Sequence, residues 1–181
     1  MYKYLAGIVV VVAILFGFFF FYKPVHAPSN AAASGSDPKN ATYTIEGTPV
    51  TLVNGTASEP AAPGSASQIT TTYFGNEATG DLNGDGVPDV AFLLTQSGGG
   101  SGTFYYVVVA LKTAQGYEGT NAVFLGDRIA PQTTEIRDGE VIVNYADRNP
   151  GEPMTAKPSL GVSKYLLIKN SMLVEASTPT K

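Results

Sequence analysis

The chain has 181 residues, with 11 Lys and Arg against 15 Asp and Glu, a single His and no Cys or Trp. A chain without Cys holds no disulfide, thiol nucleophile or Cys-based zinc site, and a single His leaves a Ser-His-Asp triad or a multi-His metal centre without its parts. The net charge of −4 and the absence of a Lys/Arg stripe exclude a nucleic-acid surface.

At the N-terminal end, Lys3 and Lys23 bracket 19 uncharged residues, Tyr4 to Tyr22. As a helix this run would be about 28 Å long, close to the hydrocarbon thickness of about 30 Å. Tyr2, Tyr4 and Tyr22 lie near its ends, where amphipathic rings favour the headgroup level. Residues 1–23 are therefore expected to form a transmembrane signal-anchor helix and to make the membrane a partner of the chain. The alternative is a cleaved signal peptide, with Ala31-Ala32-Ala33 as its small-residue cleavage region; cleavage would make the protein secreted.

Residues 24–40 (PVHAPSNAAASGSDPKN) are poor in large apolar groups and read as a flexible linker, with His26 as a solvated residue within it. From residue 24 onward there are 9 bases and 15 acids, an acidic body that suits the outside of the cell. A single-pass protein with an extracytoplasmic C-terminal domain is expected.

The body, residues 41–176, carries frequent Gly and Pro and no sustained helical apolar period. Thr42–Glu46 and Val50–Val53 flank Gly47-Thr48-Pro49 as a hairpin. Ala57–Ser67 reads as a long surface loop, and Gln68–Phe74 as a Thr-rich strand. Val90–Thr95 and Thr103–Lys112 read as strands joined by the loop Gln96–Gly102. In Thr103–Leu111, Phe104, Tyr106, Val108 and Ala110 oppose Tyr105, Val107, Val109 and Leu111, the double-sided pattern of a strand inside a sheet. Asp138-Gly139 and Asn170-Ser171 mark two further hairpins, and residues 177–181 are a tail. The expected fold is mainly β: one antiparallel domain, either a sandwich or a curled sheet.

One stretch carries chemistry. In Gly80-Asp81-Leu82-Asn83-Gly84-Asp85-Gly86-Val87-Pro88-Asp89, side-chain oxygens fall at positions 1, 3, 5 and 9 of a loop starting at Asp81. A loop that circles a hard cation needs this alternation, and the Val87 carbonyl would add an oxygen at position 7. Gly86 follows the third donor, where the sharp turn favours a residue without Cβ. Oxygen donors of this kind suit Ca²⁺ rather than a softer metal.

For nine positions the loop looks like an EF-hand, but position 12 is Phe92 rather than Glu, and the chain continues as a strand. It resembles instead the calcium loop of FG-GAP/VCBS-type repeats, in which DxNxDGxxD runs directly into a β-strand. The resemblance covers residues 74–95 and implies Asp81, Asn83, Asp85 and Asp89 as side-chain ligands of Ca²⁺, with Val87 as a backbone ligand. No second copy of the motif occurs, so a propeller is not implied. The remainder resembles secreted bacterial domains with one such loop, a likeness that implies no activity.

The expected function is a structural, adhesion or interaction module stabilised by Ca²⁺, with an extracellular protein or glycan as partner. The alternative is an anchored hydrolase of envelope polysaccharide with Asp147 and Glu152 as its carboxylate pair; against it, Asn144–Glu152 reads as a polar loop in which Arg148 pairs with nearby acids. Asp127-Arg128 reads as a turn with a solvated ion pair. There is no P-loop, GxSxG or HExxH motif, and no catalytic residue is assigned.

Overall fold

A computed structural model describes residues 35–176. The expected membrane span, most of the linker and the 177–181 tail lie outside the described residues. Among the described residues no helix is long and apolar enough to cross a membrane.

The described part is mainly β and antiparallel. Its twelve strands are β1 (Thr42–Ile45), β2 (Thr48–Thr51), β3 (Thr56–Pro60), β4 (Gln68–Gly80), β5 (Asp89–Ser97), β6 (Phe104–Thr113), β7 (Gly116–Gly119), β8 (Val123–Asp127), β9 (Ala130–Arg137), β10 (Glu140–Asp147), β11 (Leu160–Lys169) and β12 (Met172–Glu175). One sheet runs β3-β4-β5-β6-β7, with β8 also paired to β6; a second runs β12-β11-β10-β9; β1 and β2 form a separate hairpin.

The position of β6 follows from its sequence. Its partners are β5 on one side and β7 and β8 on the other, and Tyr106 to Leu111 are all buried. Val107, Val109 and Leu111 join Val141, Val143 and Leu166 of the four-stranded sheet in one apolar cluster. Their neighbours Tyr106, Val108 and Ala110 join Tyr43, Ile45 and Val50 of the β1–β2 hairpin, and Leu52 just after it, in a second cluster. The alternation along β6 thus feeds two cores, as a strand covered on both faces requires.

Turn chemistry sets the hairpins. Asp138 and Gly139 (φ 54° and 76°) and Asn170 and Ser171 (φ 51° and 59°) are left-handed pairs and connect β9 to β10 and β11 to β12 as expected. The first hairpin differs in register: Ile45 pairs with Thr48, so its turn is Glu46-Gly47 (φ 49° and 83°). Gly119 is required where β1 crosses β7, because a Cβ there would lie 2.2 Å from the Thr42 carbonyl oxygen.

Two expectations are corrected. The surface loop expected over Ala57–Ser67 is strand as far as Pro60, paired with β4 from Thr56↔Thr72 to Pro60↔Gln68. This edge strand is mostly exposed, so it carries no apolar alternation for sequence reading to detect. The linker expected to end at residue 40 gives way to packed chain by residue 35. Gly35 and Tyr117 exchange two backbone hydrogen bonds (3.1 and 2.7 Å), and the Tyr43 hydroxyl donates to the Pro38 carbonyl (2.7 Å). Asp37 caps the short 3₁₀ turn Pro38–Asn40 through the Lys39 N–H.

The loop-end cluster at Asp127 supplies one prediction. Its carboxylate accepts from Thr103 N–H (2.9 Å) and from the Arg128 guanidinium (3.0 Å), the ion pair expected from sequence. Burial raises its pKa, but the Arg128 and Thr103 hydrogen bonds and the charges of Arg128 and Arg148 outweigh that and hold it below the ordinary value. A depressed carboxylate favours folding above the ordinary Asp range and loses that contribution as pH falls through it. Asp127→Asn is expected to cost about 1 kcal/mol at pH 7. The gap from wild type, read by urea unfolding, narrows as pH falls below about 4.

Candidate metal centre

The loop 81–88 joins the end of β4 to the start of β5, whose first residues pair as Gly80↔Asp89. Its shape is built by its own side chains. The two oxygens of Asp81 accept from Gly84 N–H (2.8 Å) and Gly86 N–H (2.9 Å), drawing the loop around the first carboxylate. Asn83 Oδ1 accepts from Asp85 N–H (3.0 Å), and Asp85 Oδ1 accepts from Val87 N–H (2.7 Å). These are Asx turns, in which a short polar side chain replaces backbone as acceptor. Gly84 and Gly86 both adopt φ near +80°, which glycine tolerates without strain.

The expected donors divide into two groups. Asp81, Asn83 and Asp85 are exposed, and Asn83 Nδ2 donates to Asp85 Oδ2 at 3.0 Å, bringing those two side chains together. Val87 also lies at the surface, 42% exposed. Asp89 is fully buried: its Oδ2 accepts from Leu82 N–H (3.0 Å) and its Oδ1 from Lys112 N–H (2.8 Å). In this arrangement no three His, Cys, Asp or Glu side chains among the described residues are gathered closely enough to hold a metal ion.

Asp89 is the loop carboxylate that the fold buries. Burial raises its pKa, the Lys112 and Leu82 amides oppose that, and the nearby charges of Asp85 and Asp81 raise it again. No Lys, Arg or His side chain forms an ion pair with any of the three acids among the described residues. A buried carboxylate beside two like charges is the setting a bound cation relieves. The donor set, three carboxylates with an amide and a carbonyl, also fits a hard cation in kind.

Sequence reading missed how the loop is fastened. Leu82, the one apolar side chain among the early loop residues, is 6% exposed and belongs to the core shared by the two larger sheets. Its N–H binds Asp89, so one residue pins the loop by both side chain and backbone. An isolated Leu inside an Asp/Asn/Gly stretch was the available signal. The Lys112 contact joins residues 23 apart along the chain and left no local trace.

The loop expected over Asn144–Glu152 is strand as far as Asp147, the last residue of β10, and the two carboxylates considered for glycoside chemistry bond to their near neighbours. Asp147 accepts from Arg148 N–H (2.7 Å), and Glu152 from Asn149 N–H (2.9 Å) and Asn149 Nδ2 (3.2 Å). Arg148 does not pair with acids as expected: its guanidinium donates to the carbonyls of Ala156 (2.9 Å), Asp127 (3.1 Å) and Arg128 (3.2 Å). Three carbonyls from two loops satisfy its fork of donors. Comparison of the chain with protein-family models, curated proteins and solved structures finds no match in any of the three.

Proposed function

We propose that the chain is a membrane-anchored, extracytoplasmic β-sandwich stabilised by Ca²⁺ in the loop 81–89, acting as a structural, adhesion or interaction module. Asp81, Asn83 and Asp85 would hold the ion through side-chain oxygens, with the Val87 carbonyl and Asp89 completing the set. When bound, the ion supplies charge neutralisation and fixes the turn before β5; it performs no reaction.

The observation that carries this reading is Asp89, a buried carboxylate beside two other acids with no cationic side chain paired to it among the described residues. The exposed side chains of Asp81, Asn83 and Asp85 have room to reorient, while Asp89 stays fixed by the Leu82 and Lys112 amides. Neutralising the loop would secure the start of β5, whose Val90 to Gln96 pair with β6 in the middle of the largest sheet. The acidic body and the uncharged run 4–22 support the placement outside the membrane.

Loops of extracellular modules bind Ca²⁺ with dissociation constants of about 10⁻⁴–10⁻³ M. At about 10 mM Ca²⁺ this gives about 1.4–2.7 kcal/mol of added stability, or a rise in melting temperature of about 4–10 °C. The test compares melting of the full chain in EDTA and in Ca²⁺, for wild type and for Asp85→Ala. A rise in wild type that Asp85→Ala abolishes is expected; identical wild-type curves in EDTA and Ca²⁺ refute the reading.

A further inference from the structure

Away from the calcium-type loop, a cavity of about 270 Å³ lies between the β1–β2 hairpin and strands β3, β4 and β5. Its apolar wall includes Ile45, Val50, Ala57 and Ile69, and its polar groups are Glu46, Glu59, Thr71 and Gln96 together with Thr48. That volume is below the usual range of about 300–1,000 Å³ for drug-sized ligands and suits a single side chain or a small molecule.

The polar groups are placed by the fold. Thr71 pairs with Ala57 on β3 and with Gln96 on β5, so its side chain and that of Gln96 share one face of the sheet. Gln96 Nε2 donates to Thr71 Oγ1 at 3.2 Å. Thr71 is 2% exposed, and its hydroxyl proton goes to no acceptor among the described residues. Gln96 Oε1 likewise receives no hydrogen bond among the described residues. Glu46 occupies the first position of the hairpin turn with φ 49°, and Tyr106 Oη donates to one of its carboxylate oxygens at 3.0 Å. Glu59 forms no side-chain hydrogen bond or ion pair among the described residues.

Among the described residues no Lys or Arg lines the cavity. It therefore combines two carboxylates and an open amide oxygen with an apolar wall. An alkylammonium has the complementary form: three N–H donors on a compact charged head and a methylene stem that covers apolar surface. We propose that this cavity binds a primary alkylammonium group, with Glu46, Glu59 and Gln96 Oε1 as acceptors and the aliphatic wall against its stem. A lysine side chain of a peptide and a free diamine share this chemistry. The site does not depend on Ca²⁺ in the loop 81–89.

The test is an NMR titration of the ¹⁵N-labelled full chain in EDTA with two probes, cadaverine and Nα-acetyl-lysine methylamide. The control is the same lysine derivative acetylated at Nε. Amide shifts are expected at Thr71, Gln96 and Ile45, with about fivefold weaker binding in Glu59→Gln and a similar loss in Glu46→Gln; a factor of five corresponds to about 1 kcal/mol. Binding of both probes assigns the cavity to amines in general, and binding of the lysine derivative alone assigns it to peptides. The proposal is overturned if neither probe shifts the cavity residues, if the Nε-acetylated control binds equally well, or if both variants bind as wild type does.

Discussion

Asp89→Ala is expected to destabilise the protein by about 2–4 kcal/mol with Ca²⁺ chelated. The wild-type carboxylate is fully buried and accepts from the Leu82 and Lys112 amides. Truncation leaves two buried N–H donors unpaired, each costing about 1–3 kcal/mol, and removes the desolvation penalty of the charge, which offsets part of that sum. Asp85→Ala in the same EDTA buffer is expected to cost less than about 1 kcal/mol, because Asp85 is exposed. The pair of variants separates two roles within one motif: Asp89 fastens the loop to the end of β6, and Asp85 belongs to the proposed ion. Urea unfolding of both variants reads the difference. Equal, small losses would mean that Asp89 fastens nothing.

Phe92→Ala is expected to cost about 3–5 kcal/mol. Phe92 is fully buried in the core beneath the β1–β2 hairpin. Its ring meets Tyr43 edge-on (centroids 5.5 Å apart, 87° between planes) and Tyr73 at a tilt (5.2 Å, 51°). Such pairs add about 0.5–1.5 kcal/mol each beyond burial. Tyr43 belongs to the hairpin and Tyr73 to β4, so the ring joins two elements far apart in sequence. Hydrogen exchange is expected to accelerate in β1 and β2 more than in β10 and β11, which draw on the other core. Phe124→Ala, at a ring 47% exposed, is expected to cost about 1 kcal/mol or less. Uniform acceleration across both cores in Phe92→Ala would contradict the two-core description.

These two residues also mark the limits of what the sequence reveals. Phe92 sits in a strand that is legible from its apolar run, and β6 was legible as internal because its apolar residues alternate between two faces. The Asp138-Gly139 and Asn170-Ser171 turns were legible because left-handed φ restricts residue choice locally. Elements without a local constraint were not legible. Residues 57–60 form an exposed edge strand specified by pairing with β4, and residues 35–40 are held by Tyr117, Tyr43 and Gly55, all distant or of ordinary type. Strand β4 extends past Phe74 to Gly80 through register shifts between Tyr73 and Ala78, and bulges are set by tertiary fit.

The candidate site follows the same rule. Spacing within nine residues revealed which side chains share the loop, and the Gly86 turn. It did not reveal that Asp89 alone is buried, or that Leu82 anchors the turn in the core, because both depend on β6 and the second sheet. The three exposed donors owe their present positions to hydrogen bonds from amides of the loop, two of them Asx turns, a pattern that the same Asp, Asn and Gly residues form readily.

A crystal structure of the full chain grown with Ca²⁺ tests the central claim most directly. One density peak is predicted, with Asp81, Asn83, Asp85 and Asp89 side-chain oxygens and the Val87 carbonyl about 2.3–2.6 Å away. A well-ordered loop in saturating Ca²⁺ with no peak, the Asp81, Asn83 and Asp85 oxygens still bonded to the loop amides, would contradict it.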